Sequence, residues 1–202
     1  MAATTMPLWA TAQAAIVSAL KEVSIRDAAV SPALAFSASK NLYLPHILSL
    51  TQKAIVNVRI NSIAASSQTA VYGHKQNNVT FFCDCYCLGS NTEDGAGDII
   101  PADENAVARL HYLVAQVESA LTDAKNHKLG LLQSQIHRNI STETTFYDPE
   151  NTEQSVYTYV PARVSLQATI VQEVLDSQDA PTLENIGITP EQIENWSILY
   201  TY

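Results

Sequence analysis

The sequence predicts an α+β fold: an antiparallel or mixed β-sheet with long hairpins, packed by one long central helix and an N-terminal helix. Apolar residues recur at steps of three and four between about Pro101 and Lys128, which is the periodicity of an amphipathic helix. Segments with period-two alternation, typical of half-buried strands, lie on both sides of this helix. A strand pair, a packing helix and a second strand pair together make an α+β module.

The central helix is predicted from its apolar stripe and from the charges at its two ends. The stripe consists of Val107, Leu110, Val114, Val117 and Leu121. Asp103 and Glu104 place negative charge in the first turn, whereas Lys125 and Lys128 place positive charge in the last, and both suit the helix dipole. Gly130 is expected to be a left-handed C-cap. The helix should therefore be about 35–40 Å long and cover one face of a sheet.

An N-terminal helix is predicted over Pro7–Val23, with Thr5 as a candidate N-cap and Pro7 in the first turn. Its apolar side chains fall close to one face: Trp9, Ala12, Ile16, Ala19, Leu20 and Val23. The next segment, Ser24–Leu50, gives no clear pattern because prolines interrupt it and small residues dominate. We expect an irregular connection there.

Two strands precede the central helix. Lys53–Ala64 alternates cleanly, and Val79–Leu88 follows after a polar stretch, Ser66–Asn78. These two runs are expected to pair as a long antiparallel hairpin. A loop rich in glycine, asparagine and acidic residues, Gly89–Asp98, then leads to the helix.

After the helix, Leu131–Ile140 is predicted as a third strand and Ser141–Ser155 as a polar connection. Two extended segments, Val156–Val160 and Ala162–Val171, follow. Pro161 separates them and indicates a sheet edge or a bend.

The chain is predicted to form one domain over residues 1–175 and a C-terminal extension over residues 176–202. Thr189-Pro190-Glu191-Gln192 is a capping box with proline at the first helical position, which predicts a short helix in the extension. The last residues are apolar and aromatic. We therefore expect this extension to dock on its own domain or on a neighbouring subunit.

Composition excludes several classes of function. The chain has 202 residues and a net charge of −9, with basic residues scattered along it, so direct recognition of nucleic acid is not expected. No segment is long and apolar enough to span a bilayer, and no signal peptide precedes the first helix, so we expect a soluble intracellular protein. Charged residues make up only 15% of the chain, which favours a surface that meets other protein.

Three cysteines alternate along one predicted strand, as Cys83, Cys85 and Cys87, so their thiols share one face. One interpretation is a metal site, but structural zinc usually needs a second ligand pair, and the sequence offers none. The favoured interpretation is a row of small side chains buried against the central helix. The sequence has no nucleophile-elbow, P-loop or dinucleotide-binding motif. We therefore predict neither enzymatic activity nor a cofactor or metal.

The order of elements resembles the tail terminator, or tail completion, proteins of tailed bacteriophages. The resemblance rests on the helix ENAVARLHYLVAQVESALTD, the following LLQSQIHRNIS, the polar FYDPENTEQSVYTY and the closing ARVSLQATIVQEV. It covers about Lys53 to Val174, together with the first helix. The chain departs from the family in its long Ser24–Leu50 connection and in its added C-terminal extension.

The resemblance implies a structural role in the virion, with assembly in the host cytoplasm. Such proteins form hexameric rings that cap the tail tube, join it to the head-side connector or adaptor proteins, and let DNA pass without specific binding. Alternatives are another neck or tail component (a head–tail adaptor, a collar or a tube subunit) or, in a different class, a small metal-binding protein that uses the three cysteines. Candidate contacts to other subunits or partners are Tyr72, His74, Asp148, Glu150, Trp196, Tyr200 and Tyr202.

Overall fold

The computed structural model describes residues 6–40, 53–65, 74–136, 141–148, 150–151 and 157–173, and it confirms the α+β class. A single turn of 3-10 helix, Pro32–Leu34, follows the first helix. The elements in chain order are α1 (Leu8–Val30), β1 (Ser37–Lys40), β2 (Ala54–Ala65), β3 (His74–Ser90), β4 (Thr92–Glu93), β5 (Ile99–Ile100), α2 (Ala102–Thr122), β6 (Ser141–Phe146), β7 (Glu150–Asn151) and β8 (Tyr157–Glu173).

The described strands form one mixed sheet and one small hairpin. The order in the sheet is β1-β2-β3-β8-β6, with β7 also pairing with β8. β1 runs parallel to β2, and the other neighbours are antiparallel. The predicted hairpin of β2 and β3 is confirmed. β4 lies inside the predicted loop and pairs with β5, which follows directly after that loop. The strands before and after α2 thus belong to the same sheet, because β3 pairs with β8.

Both helices contribute to a core on one face of this sheet. The predicted stripe of α2 is buried there, except that Val107 lies at its flank and is only partly buried. Alternate residues of β3 and β8 supply the facing layer: Val79, Phe81, Cys83, Cys85 and Cys87 from β3, and Val160, Ala162, Val164, Leu166, Ala168 and Ile170 from β8. Burial of this one face explains the period-two alternation in the sequence.

α1 continues seven residues beyond its predicted end, and β1 lies in the segment where no pattern was found. The Ser24 hydroxyl accepts a hydrogen bond from the Phe36 N–H at 2.9 Å and donates one to the Phe36 carbonyl at 2.7 Å. These bonds fix the chain that enters β1. Near the end of α1, Asp27 accepts a hydrogen bond at 2.7 Å from the Gln116 side chain of α2. Such tertiary contacts, rather than local periodicity, hold the last two turns.

α2 ends at Thr122, so the prediction that it reaches Lys128 is wrong. The Asp123 carboxylate accepts a hydrogen bond from the Lys125 N–H, and the Asn126 side chain donates one to the Ala120 carbonyl, which closes the helix end. With 21 residues the helix is about 31 Å long.

The predicted features at that end of α2 fall outside the helix. Lys125 and Lys128 lie in the turns that follow, so no basic residue occupies its last turn. Gly130 does have a positive φ of 69°, but it lies eight residues past the last helical residue and is not a C-cap.

The predicted third strand over Leu131–Ile140 is wrong for residues 131–135, and residues 137–140 lie outside the described part of the chain. Residues 131–135 form turns and bends, Leu132 is 66% exposed, and within 131–136 only Ile136 bridges to a strand, at Ile170. The predicted polar connection instead contains β6 and β7. β6 has no apolar alternation because its side chains are mostly exposed at the sheet edge, and its three threonines supply strand propensity instead.

β8 runs through Pro161 without a break, although the sequence predicted two segments. The Tyr147 N–H donates to the Pro161 carbonyl, so this carbonyl points toward β6 and β7. In a strand the N–H position of a residue points the same way as its carbonyl. Along β8, the pairing with β6 ends at Ala162 and the pairing with β7 begins at Tyr159. Pro161 lies between these two paired segments, so its missing N–H does not remove a hydrogen bond from either ladder.

The predicted extension over 176–202 lies outside the described residues, as does the segment 66–73 between β2 and β3. Neither α1 nor α2 combines the length and apolar content that crossing a membrane requires.

Candidate interaction surfaces

The second half of β2 extends beyond its neighbour β1. β1 pairs only with Ile55–Val58, and no described strand pairs with the same edge of β2 at positions 59–65. All five residues from 61 to 65 are exposed. Unpaired N–H and C=O groups along such an edge are a template for pairing with another chain. We refer to residues 59–65 as the free edge of β2.

A bulge at Asn61 changes which side chains of the free edge face the helix side of the sheet. Before the bulge, Val56 and Val58 face the helices and are fully buried. After the bulge, Ile63 lies opposite Val79 and faces the same side of the sheet. Ile63 is 43% exposed, so it presents an aliphatic side chain next to backbone that no described strand pairs with on this edge. The opposite edge of the sheet is β6, whose outer side is likewise unpaired among the described strands.

The other face of the sheet carries an ion cluster across three strands. Asp84 of β3 accepts hydrogen bonds from Arg59 Nε at 2.7 Å and from Arg163 Nε at 2.6 Å, and its own side chain is only 5% exposed. Both guanidinium groups lie over the ring of Phe82, at 4.9 Å and 4.3 Å from its centroid. The cluster therefore joins β2, β3 and β8 on the face opposite the helices, with one positive charge in excess.

The three cysteines are core residues. Cys83, Cys85 and Cys87 are all fully buried on the face that packs against α2, as the favoured interpretation predicted. Burial raises the pKa of Cys83 and Cys87 to about 12 and raises that of Cys85 well above its usual range. The described residues contain no cluster of three histidine, cysteine or acidic side chains that could hold a metal ion. A metal bound by these thiols would have to displace the packing of α2.

A pocket of about 290 Å³ opens between the 3-10 turn, the start of β2, the end of β3 and α2. Gly89 makes this close approach possible, because a Cβ there would lie 1.9 Å from the Ala102 carbonyl oxygen of α2. Two basic side chains, Lys53 and Arg109, line the pocket. Asn105 lines it too and donates from Nδ2 to the Ser90 carbonyl at 2.9 Å, which ties α2 to the end of β3.

Arg109 is the partly buried cation of this pocket. Its Nη2 donates to the Ala35 carbonyl at 3.3 Å, while its buried Nε has no partner among the described residues. Among the described residues that line the pocket, none is an aspartate or glutamate. The nearby Gln116 amide is directed to Asp27, and hydrogen bonds from Arg26 and then from Gln116 lower the pKa of that carboxyl. The arrangement suits an anionic group.

The structure does not bring together those predicted contact residues that it describes. His74 begins β3 opposite Glu173, whereas Glu150 pairs with Tyr159 near the other end of β8, roughly 45 Å away at 3.3 Å per residue. Asp148 is exposed just after β6. The other predicted contacts lie outside the described residues: Tyr72, Trp196, Tyr200 and Tyr202.

Sequence reasoning missed the ion cluster, although a signal for it was present. Asp84 is a charged residue in the middle of an otherwise apolar strand, which requires a charged partner nearby. The predicted alternation already placed Arg59 and Arg163 among the polar positions of other strands. The pocket had no such signal, since its walls come from four separate segments.

Comparison of the sequence with models of protein families and with curated proteins finds no match.

Proposed function

We propose that this chain is a structural protein of a tailed-bacteriophage virion, a tail terminator that forms a ring at the end of the tail tube and joins it to the head-side connector. The resemblance in element order supports the family, and the α+β architecture agrees with it. The described residues present a sheet with exposed edges and a core without accessible nucleophiles. These features favour assembly over chemistry.

The free edge of β2 carries the proposal. A ring needs a heterologous contact, in which one surface of a subunit meets a different surface of the next. The free edge and the outer side of β6 lie at opposite margins of the same sheet. Pairing of these two margins between successive copies would satisfy the unpaired backbone groups of both and would cover Ile63.

The partners follow from the position of the ring. One side contacts the tail tube and the other contacts a connector or adaptor protein, while DNA passes through the centre without specific binding. The net charge of −9 supports this last point, because an acidic chain repels phosphate. The six-subunit order is taken from the family resemblance. The protein would act in the virion neck after assembly in the host cytoplasm.

The test is the assembly state of the full chain with Ile63→Lys, measured by light scattering after size-exclusion chromatography, alone and with tail tubes. Lysine on an edge strand opposes pairing, so we expect the ring or its tube-bound form to be lost. Val30→Lys is the matched control, since Val30 is 83% exposed and is the last residue of α1, outside the strands of the sheet. Unchanged assembly of Ile63→Lys, while Val30→Lys also assembles, would contradict a role for the free edge.

A tube subunit remains the alternative within the same class, and assembly geometry distinguishes it. A terminator stops at a closed ring, whereas a tube subunit continues to add copies. Open-ended polymers of the pure protein would therefore reject the terminator in favour of the tube subunit.

A further inference from the structure

The pocket beside α2 contains positive charge without a counter-charge. Lys53 and Arg109 both line it, and neither forms an ion pair in the described part of the chain. Arg26, Arg59, Arg163 and Lys125, by contrast, each contact a carboxylate.

Arg109 has lost part of its hydration without full compensation. To the residues that the structure describes it donates one hydrogen bond, at 3.3 Å, and within them its buried Nε has no partner. A cation that is partly removed from water is costly unless an anion or further acceptors satisfy it. A bound oxyanion would offset this cost through the guanidinium group and the Lys53 ammonium.

The rest of the lining selects among oxyanions. Apolar side chains contribute much of the wall, among them Leu34, Leu88 and Leu113. The volume of about 290 Å³ is at the lower limit for ligand pockets, so it suits a group of side-chain size.

We infer that this pocket binds a carboxylate carried on a short aliphatic stem, with the carboxylate on Arg109 and Lys53 and the stem against the leucines. The carboxylate belongs either to a glutamate or aspartate of another polypeptide or to a free aliphatic acid. The inference goes beyond the proposed ring, since it depends only on the pocket.

The experiment is a titration of the full chain followed by the backbone amide resonances of Gly89 and Ser90, which lie at the pocket wall. The probes are sodium butyrate, neutral butyramide, inorganic phosphate and a blocked Ala-Glu-Ala peptide with its Ala-Gln-Ala analogue, at constant ionic strength. Butyrate and the glutamate peptide should shift these resonances, and their amide analogues should bind at least tenfold more weakly.

The same titration separates the two sources of the carboxylate. A glutamate peptide that binds at least tenfold more tightly than butyrate assigns the site to a polypeptide side chain. Comparable or tighter binding of butyrate assigns it to a free acid. Either result supports the inference.

Two variants and a control test the residues. Arg109→Gln should weaken butyrate binding at least tenfold, and Lys53→Gln about threefold. Lys21→Gln removes the same charge from an exposed position of α1 and should change the affinity less than twofold. Because Lys53 is exposed, its variant keeps the test valid even if Arg109→Gln fails to fold.

Three results would overturn the inference: equal shifts with butyramide, tighter binding of phosphate than of butyrate, or affinities within twofold of wild type in both pocket variants. None of them bears on ring formation. Loss of the carboxylate site and failure of the proposed function are therefore separate outcomes.

Discussion

Gly89 lies where β3 passes beneath the first turn of α2, and it leaves no room for a side chain. A Cβ there would be 1.9 Å from the Ala102 carbonyl oxygen and 2.8 Å from the Ala106 Cβ. Gly89→Ala must therefore displace backbone, and we expect it to lower the free energy of unfolding by about 3 kcal/mol. Urea denaturation measures this change.

Gly95→Ala is the control for that substitution, because nothing lies within 4 Å of a Cβ at Gly95. Its effect should be within about 0.5 kcal/mol of zero. Equal effects of the two substitutions would show that the close approach at Gly89 does not limit stability.

Because of the buried thiols, the free energy of unfolding should decrease as the pH rises into the alkaline range. The pKa of Cys83 and of Cys87 is about 12 in the folded protein, because of burial, against 9.0 for an unperturbed thiol. The folded state holds these protons more tightly than the unfolded state does. The resulting stability is complete below pH 9 and is lost as the pH rises from 9 toward 12.

Cys87→Ala should therefore reduce the alkaline slope of the unfolding free energy by about 1.4 kcal/mol per pH unit. Denaturant unfolding of wild type and variant between about pH 9.5 and 11 measures the two slopes. The slope is the relevant quantity because the substitution also removes packing volume at every pH. Identical slopes would place the Cys87 thiol in contact with solvent.

At the scale of elements, Asp84 links β2, β3 and β8 through its two arginine partners. Asp84→Asn removes the charge that both guanidinium groups face, so we expect a loss of about 2–3 kcal/mol in the free energy of unfolding. The value is below that of a fully buried pair, since Arg59 and Arg163 remain 33% and 26% exposed at their side chains. Chemical denaturation provides the measurement.

Asp148→Asn makes the same change at an exposed position after β6 and should be nearly neutral. If Asp84→Asn changes the free energy of unfolding as little as this control does, the ion cluster does not stabilise the packing of the three strands.

The elements that the sequence predicted well are those whose pattern reflects burial of one face. The α2 stripe and the alternation of β3 and β8 follow directly from such burial. The elements it missed lack this pattern. β1 is Ser-Ala-Ser-Lys, β6 is mostly exposed, and the end of α2 depends on Asp123 and Asn126 rather than on periodicity.

The candidate surfaces were less predictable for the same reason. The free edge of β2 depends on how far β1 extends beside it, and β1 itself has no pattern in the sequence. The pocket depends on segments far apart in the chain, with Ala35 and Arg109 separated by 74 positions. The ion pairs of Asp84 with Arg59 and Arg163 could have been predicted from the sequence, because all three residues lie at alternating strand positions.

At the scale of the whole molecule, the two margins of the sheet differ, and this asymmetry is what a ring requires. The free edge of β2 carries the exposed Ile63 and has no described neighbour, whereas the β6 margin carries threonines and the aromatic Phe146. Unlike margins favour head-to-tail contact between copies over a symmetric dimer. Whether such contact closes is decided by the angle between successive copies.

The decisive measurement is electron microscopy of the purified full chain, alone and after mixing with tail tubes. A tail terminator should give closed rings of one diameter, either free in solution or bound singly at tube ends. A monomer that forms no ring and never associates with tubes would contradict it.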